Sequence, residues 1–481
     1  NTVWNLMGQV LPLLAALFSI PVLIEGLGKE RFGLLCMIWM MIGYFSLFDL
    51  GLGRALTLMV SEKLGLQQLR EIPSVVITAL LAMLILGLVA CSLMLFFSEG
   101  LAGQLLSVEP AYRSEALSSI RLLALTTPIV IVTAGLRGVL ESYQRFDLIN
   151  MVRIPLGLMT FLVPVLVLQL ENSLASIVLA LMLVRMVAFV IHVSLCWVVI
   201  PSQSSWPRVS GYYLIDMFRY GGWMTVTNIV GPFMIYLDRF MVSGLLGLTS
   251  VAYYVTPYEL ITKLLIFPTA IMGVLFPAFS SAIASDREKA VELFNTGLRW
   301  IFMGLLPVVL VTVIFARDIL AFWLSDDFAE HSKFLMQVLS VGVLINSLAQ
   351  VPFGFIQAEG RPDITAKFHL VELPLYLIGL CLAMSYFGIL GVAIAWTGRV
   401  TIDAFILLAF CGLRDKRLAI RIFDMGLFFL FIGALFATSL IDNDYKRATG
   451  GIILLALCVL VSWKKLLKPE EKSSIKFKLY G

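Results

Sequence analysis

Charge is scarce in this chain. Only 14% of the 481 residues are Asp, Glu, Lys or Arg, against 60% hydrophobic, which leaves too little polar surface to wrap a water-soluble globule. Histidine is rarer still, at three residues. The six cysteines, Cys36, Cys91, Cys196, Cys381, Cys411 and Cys458, are scattered and form no CxxC pair. They read as buried free thiols rather than disulfides or a metal centre. No GxxxxGK is present, since Gly28-Lys29 lacks the first glycine, so ATP hydrolysis within the chain is not expected. HExxH and GxSxG are missing too, and no His/Cys/Asp group has metal-ligand spacing. No catalytic residues, no metal and no cofactor are expected. Long polar loops are also missing, which leaves no room for an extramembranous domain.

What is present is apolar sequence in long runs. Mean hydropathy is +0.96, and a bilayer crossing takes ~20 apolar residues. Fourteen candidate spans fill the chain: 3–24, 32–53, 73–97, 117–139, 151–169, 174–200, 220–246, 251–280, 293–315, 335–357, 368–387, 389–410, 423–441 and 449–463. Helix is the default, because lipid offers no partner to open backbone groups and no barrel-like alternation runs through these segments. The expected fold is an all-α integral membrane protein, a polytopic bundle of about fourteen transmembrane helices in two pseudo-symmetric lobes. The first run exceeds the length of a signal-peptide core and leads into a second span, so no cleavable signal is expected.

The basic residues mark one side. Most of the 35 Lys and Arg fall in alternate loops, among them Lys63, Arg70, Arg145, Arg153, Arg208, Arg219, Arg287, Lys289, Arg361, Lys367 and Arg414, and in a basic tail from Lys464 to Lys478. The opposite loops are acidic, with Asp318, Asp326, Asp327 and Glu330, then Asp442 and Asp444. The positive-inside rule then places both termini in the cytosol. The net charge of +4 is topological and offers no reason to expect nucleic acid; contact with membrane lipids is expected instead.

The best internal boundary is the Pro-, Ser- and Gly-punctuated stretch that opens PSQSSWPRVSG. It divides the chain into a six-helix lobe over 1–200, a cytosolic connection over 201–218 and a second six-helix lobe over 219–422. Two extra helices and the basic tail occupy 423–481. Leu27-Gly28 aligns with Leu246-Gly247, and on the same register Pro12 falls beside Pro232 and Phe48 on Phe267. Six spans per repeat keep both copies the same way up, the arrangement of two-lobed transporters. After the eighth span, Ser285 and Glu288 have capping-box spacing, which predicts a separate surface helix over 286–292.

Charges at membrane depth are costly and mark function or pairing. Four cations qualify: Arg185, Arg239, Lys263 and Arg399. Glu259 precedes Lys263 and Asp403 follows Arg399 at i,i+4 spacing, so each pair can neutralise itself on one helix face. Asp238 and Arg239 are neighbours and point ~100° apart, so they are expected to face a polar interior. Arg185 has no carboxylate on its own helix. Asp49 and Arg54 flank Gly51 and Gly53, which weaken the helix and permit close approach. Arg54 and Arg137 also read as interfacial cations. His192 and His369 lie near span ends and are weak pointers to a proton relay.

Several segments resemble one family: Phe48-Asp49-Leu50-Gly51-Leu52-Gly53-Arg54, Gly138 to Asp147 with Asn150 and Arg153, Tyr236-Leu237-Asp238-Arg239-Phe240, and the LGKERFG stretch from Leu27. Together they resemble the polysaccharide flippases of bacterial O-antigen and exopolysaccharide clusters (Wzx type). The superfamily of these flippases also holds the multidrug-and-toxin exporters and the lipid II flippase. The resemblance implies a bundle that opens alternately to each side, with a cavity lined by spans one, two, seven and eight. The implied cargo is an oligosaccharide repeat unit on undecaprenyl pyrophosphate, carried from the cytosolic to the periplasmic leaflet of the bacterial inner membrane for lipopolysaccharide or exopolysaccharide assembly. A polysaccharide polymerase and a chain-length regulator are implied partners.

A pyrophosphate crossing hydrocarbon needs cationic partners, and Arg binds it bidentately. Arg54, Arg185, Arg239, Lys263 and Arg399 are the candidates for that role. Thr225, Thr227, Asn228, Tyr236, Tyr253 and Tyr254 offer hydroxyl, amide and aromatic surface to sugars, or serve as ordinary helix–helix contacts. Asp49, Asp238, Glu259 and Asp403 are candidates for a coupling H+ or Na+, as an antiporter requires. The alternatives left open are an exporter of organic cations, which calls for unpaired cavity acids, and a polymerase-type membrane enzyme, which calls for a larger outer loop than 98–116 or 316–334 provides. The two spans beyond 423 exceed the twelve often given to polysaccharide flippases, and are either peripheral or a groove for a lipid tail.

Overall fold

A computed structural model describes residues 2–45, 51–200, 208–418, 449–451 and 453. Its regular structure is helical throughout, with no strand among the described residues. The order of elements repeats. The first series is α1 (Thr2–Leu27), α2 (Lys29–Phe45), α3 (Leu52–Gly65), α4 (Ile72–Phe96), a single turn α5 (Ser98–Gly100), α6 (Arg113–Ser142), α7 (Phe146–Leu170) and α8 (Leu174–Val199). The second series follows the same plan: α9 (Gly211–Leu246), α10 (Leu248–Thr262), α11 (Ile266–Ser285), α12 (Arg287–Ile314), α13 (Ala316–Trp323), α14 (Asp326–Ala358), α15 (Pro362–Phe387) and α16 (Ile389–Arg414).

At its best-aligned point the repeat places a glycine of positive φ in both copies. Gly28 and Gly247, which pair in the sequence alignment, take φ +77° and +83°. Only glycine enters that left-handed region without a steric penalty, and each one turns the chain sharply from one long helix into the next. The second helix of each series is also interrupted. Between α2 and α3, Gly51 takes φ +75°, and between α10 and α11 the residues Lys263–Leu265 tighten into a 3₁₀ turn. Of the expected span 32–53, residues 46–50 lie outside the described residues; α2 is described to Phe45, and after Gly51 the helix α3 begins at Leu52.

Among the described residues, nine helical stretches are long and apolar enough to cross a bilayer. Together with α1 and α2 they make this an all-α, multi-pass membrane protein. The expected spans 423–441 and 449–463 fall outside the described residues, apart from the few at 449–453. The surface helix expected over 286–292 does not stand alone. It is the first turn of α12, capped by Asp286, whose carboxylate accepts the Glu288 and Lys289 amide protons at 3.0 and 3.1 Å. An ionised cap at the helix N-terminus satisfies two orphan donors and opposes the dipole, so continuing the helix is favoured over restarting it.

The chain forms two compact units, Asn1–Ala252 and Tyr253–Gly481. The first includes α9, which packs on α2, α3 and α4, whereas sequence punctuation put the division at 201–218. Its core joins Leu52, Leu56 and Val60 of α3 to Val75, Ala79 and Met83 of α4 and to Ile131, Leu136 and Val139 of α6. In lipid such packing cannot rest on expulsion of water, so close backbone approach matters more. A Cβ at Gly138 would sit 2.6 Å from Thr57 Oγ1 and 3.0 Å from the Gly53 carbonyl. The second unit packs Phe279, Phe294, Leu306, Val309, Phe355 and Leu407 around α11, α12, α14 and α16. One end of it is stitched by ions: Glu359 accepts from Arg287 at 2.7 Å and from Arg414 at 2.8 Å, and Asp415 from Arg417 at 3.0 Å.

Candidate functional site

In the first unit a cavity of about 300 Å³ opens between α2, α6, α7 and α8. Three arginines line it, Arg137 of α6, Arg153 of α7 and Arg185 of α8, together with Trp39, Thr133, Thr160 and His192, and no carboxylate is among the lining residues. Arg185 lies ~17 Å along α8, near the middle of the span. Its Nε is buried without a hydrogen-bond partner, and so is the Trp39 indole nitrogen. Both groups only donate. Trp39 is held by an edge-on contact with Phe161, centroids 5.2 Å apart. Thr133 and Thr160 donate their hydroxyl protons to the carbonyls of Ile129 and Leu156, at 2.6 and 2.8 Å, which leaves their lone pairs to the cavity. His192 Nδ1 stands 2.8 Å from the Ala188 carbonyl. Arg137 is half exposed, with Glu141 of its own helix 3.5 Å from its Nε, and Arg153 is exposed. Donors of this kind suit an oxyanion, since an arriving acceptor would give the unpartnered Arg185 and Trp39 nitrogens a partner.

A second polar island lies in the second unit. His369 and Glu372 of α15 meet Arg399 and Asp403 of α16, and the side-chain ligand atoms of His369, Glu372 and Asp403 lie within 4.8 Å of one another. Arg399 stands 3.7 Å from Glu372 and 5.3 Å above the Tyr376 ring. The His369 ring stacks on Phe353 of α14 at 5.9 Å.

The two islands occupy matching places in the repeat. Counted from the first residue of each helix, Arg153 falls on His369, Leu156 on Glu372, Thr160 on Tyr376 and Ala188 on Asp403, while Arg185 lies one place from the counterpart of Arg399. Trp39 of α2 falls likewise on Tyr258 of α10.

The other expected site residues fall elsewhere. Arg239 and Asp238 are 2% and 0% exposed and form an ion pair at 3.8 Å, with the guanidinium 5.1 Å from the Tyr236 ring. The two neighbours come within ion-pair distance although their places on the helix point ~100° apart. Lys263 and Glu259 pair at 3.2 Å, as their spacing predicts, and both are partly exposed. Arg399 pairs with Glu372 on the adjacent helix, although sequence spacing pointed to Asp403 on its own. Tyr253 donates to Asp327 at 2.6 Å and stacks on His331, and Tyr254 is fully buried. Arg54 is exposed on α3. Asp49 and the side chains of Thr225 and Asn228 lie outside the described residues.

Sequence reasoning passed over Arg137, Arg153 and Glu372. The arginines counted as topology markers beside loops, and Glu372 lies close to a predicted span end. Outside the spans, bonds from Lys63 and then Tyr213 hold the Glu71 carboxyl below its usual range, and Arg417 does the same for Asp415.

Long apolar helices in repeated order, with polar islands between them, define a polytopic helical membrane protein. The fold is shared with a multidrug MATE transporter of the MOP superfamily in its inward-facing conformation, at TM-score 0.70 and 15% identity over 86% of this chain and 98% of that one. The lipid II flippase MurJ in an inward closed conformation has it as well, at TM-score 0.71 and 15% identity over 97% and 100%. The profile of the Polysaccharide biosynthesis protein family matches residues 26–333, and the chain belongs to that family. A Shigella flexneri relative named "Putative O-antigen transporter" is 31% identical over 407 residues, which is 85% of this chain and 96% of the relative. The chain's relatives are thus transporters rather than enzymes.

Proposed function

We propose that the protein is a flippase for lipid-linked polysaccharide precursors. It carries an undecaprenyl-pyrophosphate-linked oligosaccharide from the cytosolic to the periplasmic leaflet of a bacterial inner membrane, with both termini cytosolic, by alternating access between two lobes. The observation that carries this reading is the cavity of Arg137, Arg153 and Arg185 without a facing carboxylate. A diphosphate in hydrocarbon must be neutralised, and arginines on three different helices give it a converging set of forked donors. Size supports the assignment. At about 300 Å³ the cavity is at the lower end of the ~300–1,000 Å³ typical of small-molecule sites, enough for a headgroup but not for an oligosaccharide or a polyprenyl tail. An exporter of organic cations needs the opposite sign. On this reading Arg185, at mid-membrane, is the central phosphate ligand. The paired Arg239 and Lys263 serve structure, and an ion gradient drives the cycle. The polymerase and chain-length regulator act on the delivered unit.

Deleting the gene in its host and assigning the leaflet of undecaprenyl-linked units tests the proposal. Accumulation on the cytosolic face, with surface polysaccharide lost, is expected. Single units trapped on the periplasmic face would make the protein a polymerase component, and unchanged lipid-linked sugar would abandon the flippase reading.

A further inference from the structure

Charge balance singles out the island on α15 and α16. Glu372 is 12% exposed and Arg399 16%. Both Glu372 oxygens and the Arg399 Nε are buried without a hydrogen-bond partner. The Arg399–Glu372 separation of 3.7 Å is well beyond the ~2.7–2.9 Å of a charge-assisted bond, so the arginine leaves the carboxylate unsatisfied. Among the described residues it is also the only cation set against two acids in the cluster. With Glu372 and Asp403 both ionised and His369 neutral, the island carries one net negative charge inside the bundle, an expensive state. One proton makes it neutral. The matching place in the first repeat, at Leu156 and Ala188, holds no acid, so the charge is a feature of this repeat and not of the helix pattern.

We propose that His369, Glu372 and Asp403 together hold one exchangeable proton against the fixed charge of Arg399, and that its binding and release is the ion step of transport. The second clause rests on the flippase reading; the first does not. The proton belongs to the group as a whole, because three sites this close titrate together. The groups facing it are Arg399 and Asp403 from α16, Phe353 from α14, and Tyr376 and Glu372 from α15 itself, among the described residues. A metal cation fits poorly: the guanidinium already stands beside Glu372, and an imidazole replaces one of the hard oxygens an alkali ion prefers. Filling and emptying the site switches a buried charge on and off, which is the differential stability that shifts a two-state protein between conformations.

The test uses the full chain reconstituted in liposomes of Escherichia coli polar lipid, with proton uptake after a pH step counted by a trapped pH dye. Wild type should take up about one proton per chain more than the double variant Glu372→Gln, Asp403→Asn, and exchanging K+ for Na+ should not alter the count. Equal counts in wild type and a double variant of wild-type melting temperature would overturn the site, as would Na+ competing with the proton. Should the double variant fail to fold, infrared difference spectra of wild type decide: a protonated carboxyl band lost in one step on raising pH is expected, and carboxylates ionised throughout overturn the proposal. An imposed pH gradient should speed movement of lipid-linked repeat units in wild type and leave the double variant unaffected. A variant still responsive to the gradient overturns the coupling. If wild type moves no such unit, the flippase reading fails while the proton count stands.

Discussion

The same place in the two repeats has taken opposite electrical characters. In the first unit α7 and α8 present Arg153 and Arg185 to a cavity free of carboxylates. In the second, α15 and α16 present His369, Glu372, Arg399 and Asp403, with one acid more than the single arginine can neutralise. The order and length of these helices are held in common, so helix layout is not what distinguishes them. On the readings proposed above, a handful of side chains converts a site for an anion into a site for a proton. Two-lobed transporters gain from that division, because a cargo and a driving ion that share one pocket would compete for the same charges.

The largest effect that tests this contrast is Arg185→Glu. Each bond to a charged group is worth ~1.5–3 kcal/mol, so Arg185→Ala should weaken binding of undecaprenyl diphosphate to the purified protein about tenfold to a hundredfold, and the reversed charge should abolish it. Wild-type affinity in a folded Arg185→Ala protein would remove the cavity from the mechanism. Next comes a graft. Leu156→Glu places in the first unit the acid that Glu372 supplies in the second, and should cost about tenfold in the same assay while leaving proton uptake unchanged. If the graft leaves affinity intact, the diphosphate lies elsewhere.

Packing gives a third, smaller contrast. A Cβ at Gly391 would lie 2.0 Å from the Ala383 carbonyl oxygen, whereas the matching residue of α8, Ser176, already carries a side chain. Gly391→Ser should destabilise by ~1–3 kcal/mol, and Ser176→Gly should change stability by less than half of that. Thermal melting in detergent compares the two, and equal shifts would deny the asymmetry.

The smallest effect is electrostatic and lies outside the spans. Arg417 lowers the folded-state pKa of Asp415. The stabilisation is therefore present above the unfolded-state value and is lost as pH falls through the folded one. Asp415→Asn should flatten the acid limb of the melting profile. Glu71→Gln should do so less, since Glu71 is 42% exposed and water screens its pair with Lys63. An unchanged acid limb in both variants would show that neither pair contributes.

How far the sequence reached depends on whether a fact lies along one helix or between several. Helical class, the Gly28–Gly247 repeat and the Lys263–Glu259 pair are written in spacing along a single strand of sequence, and the structure has them as read. Arg185 was legible because a cation so deep in an apolar run has no structural excuse on its own helix. Its companions were not, since Arg137 and Arg153 look like loop-side cations until α6 and α7 are brought beside α8. Arg399 shows the same limit: spacing offers Asp403, while the fold delivers Glu372. The α12 cap was missed by one residue because Ser285 and Asp286 both suit the role, and only backbone geometry chooses between them.

The turn at Gly388, with φ +57°, bears on how the protein is made. It joins α15 to α16 with no intervening loop, and Gly391 lets the two backbones touch. The pair is therefore suited to enter the bilayer as one hairpin during synthesis. Glu372 and His369 lie on one arm and Arg399 and Asp403 on the other, so the arm that carries the acid waits at the insertion machinery for the arm that carries its base. A charge inserted alone at the helix centre costs ~2.5–3.5 kcal/mol. Hairpin entry lets partners offset one another before lipid closes around them, and a ribosome stalled between α15 and α16 should leave α15 poorly inserted.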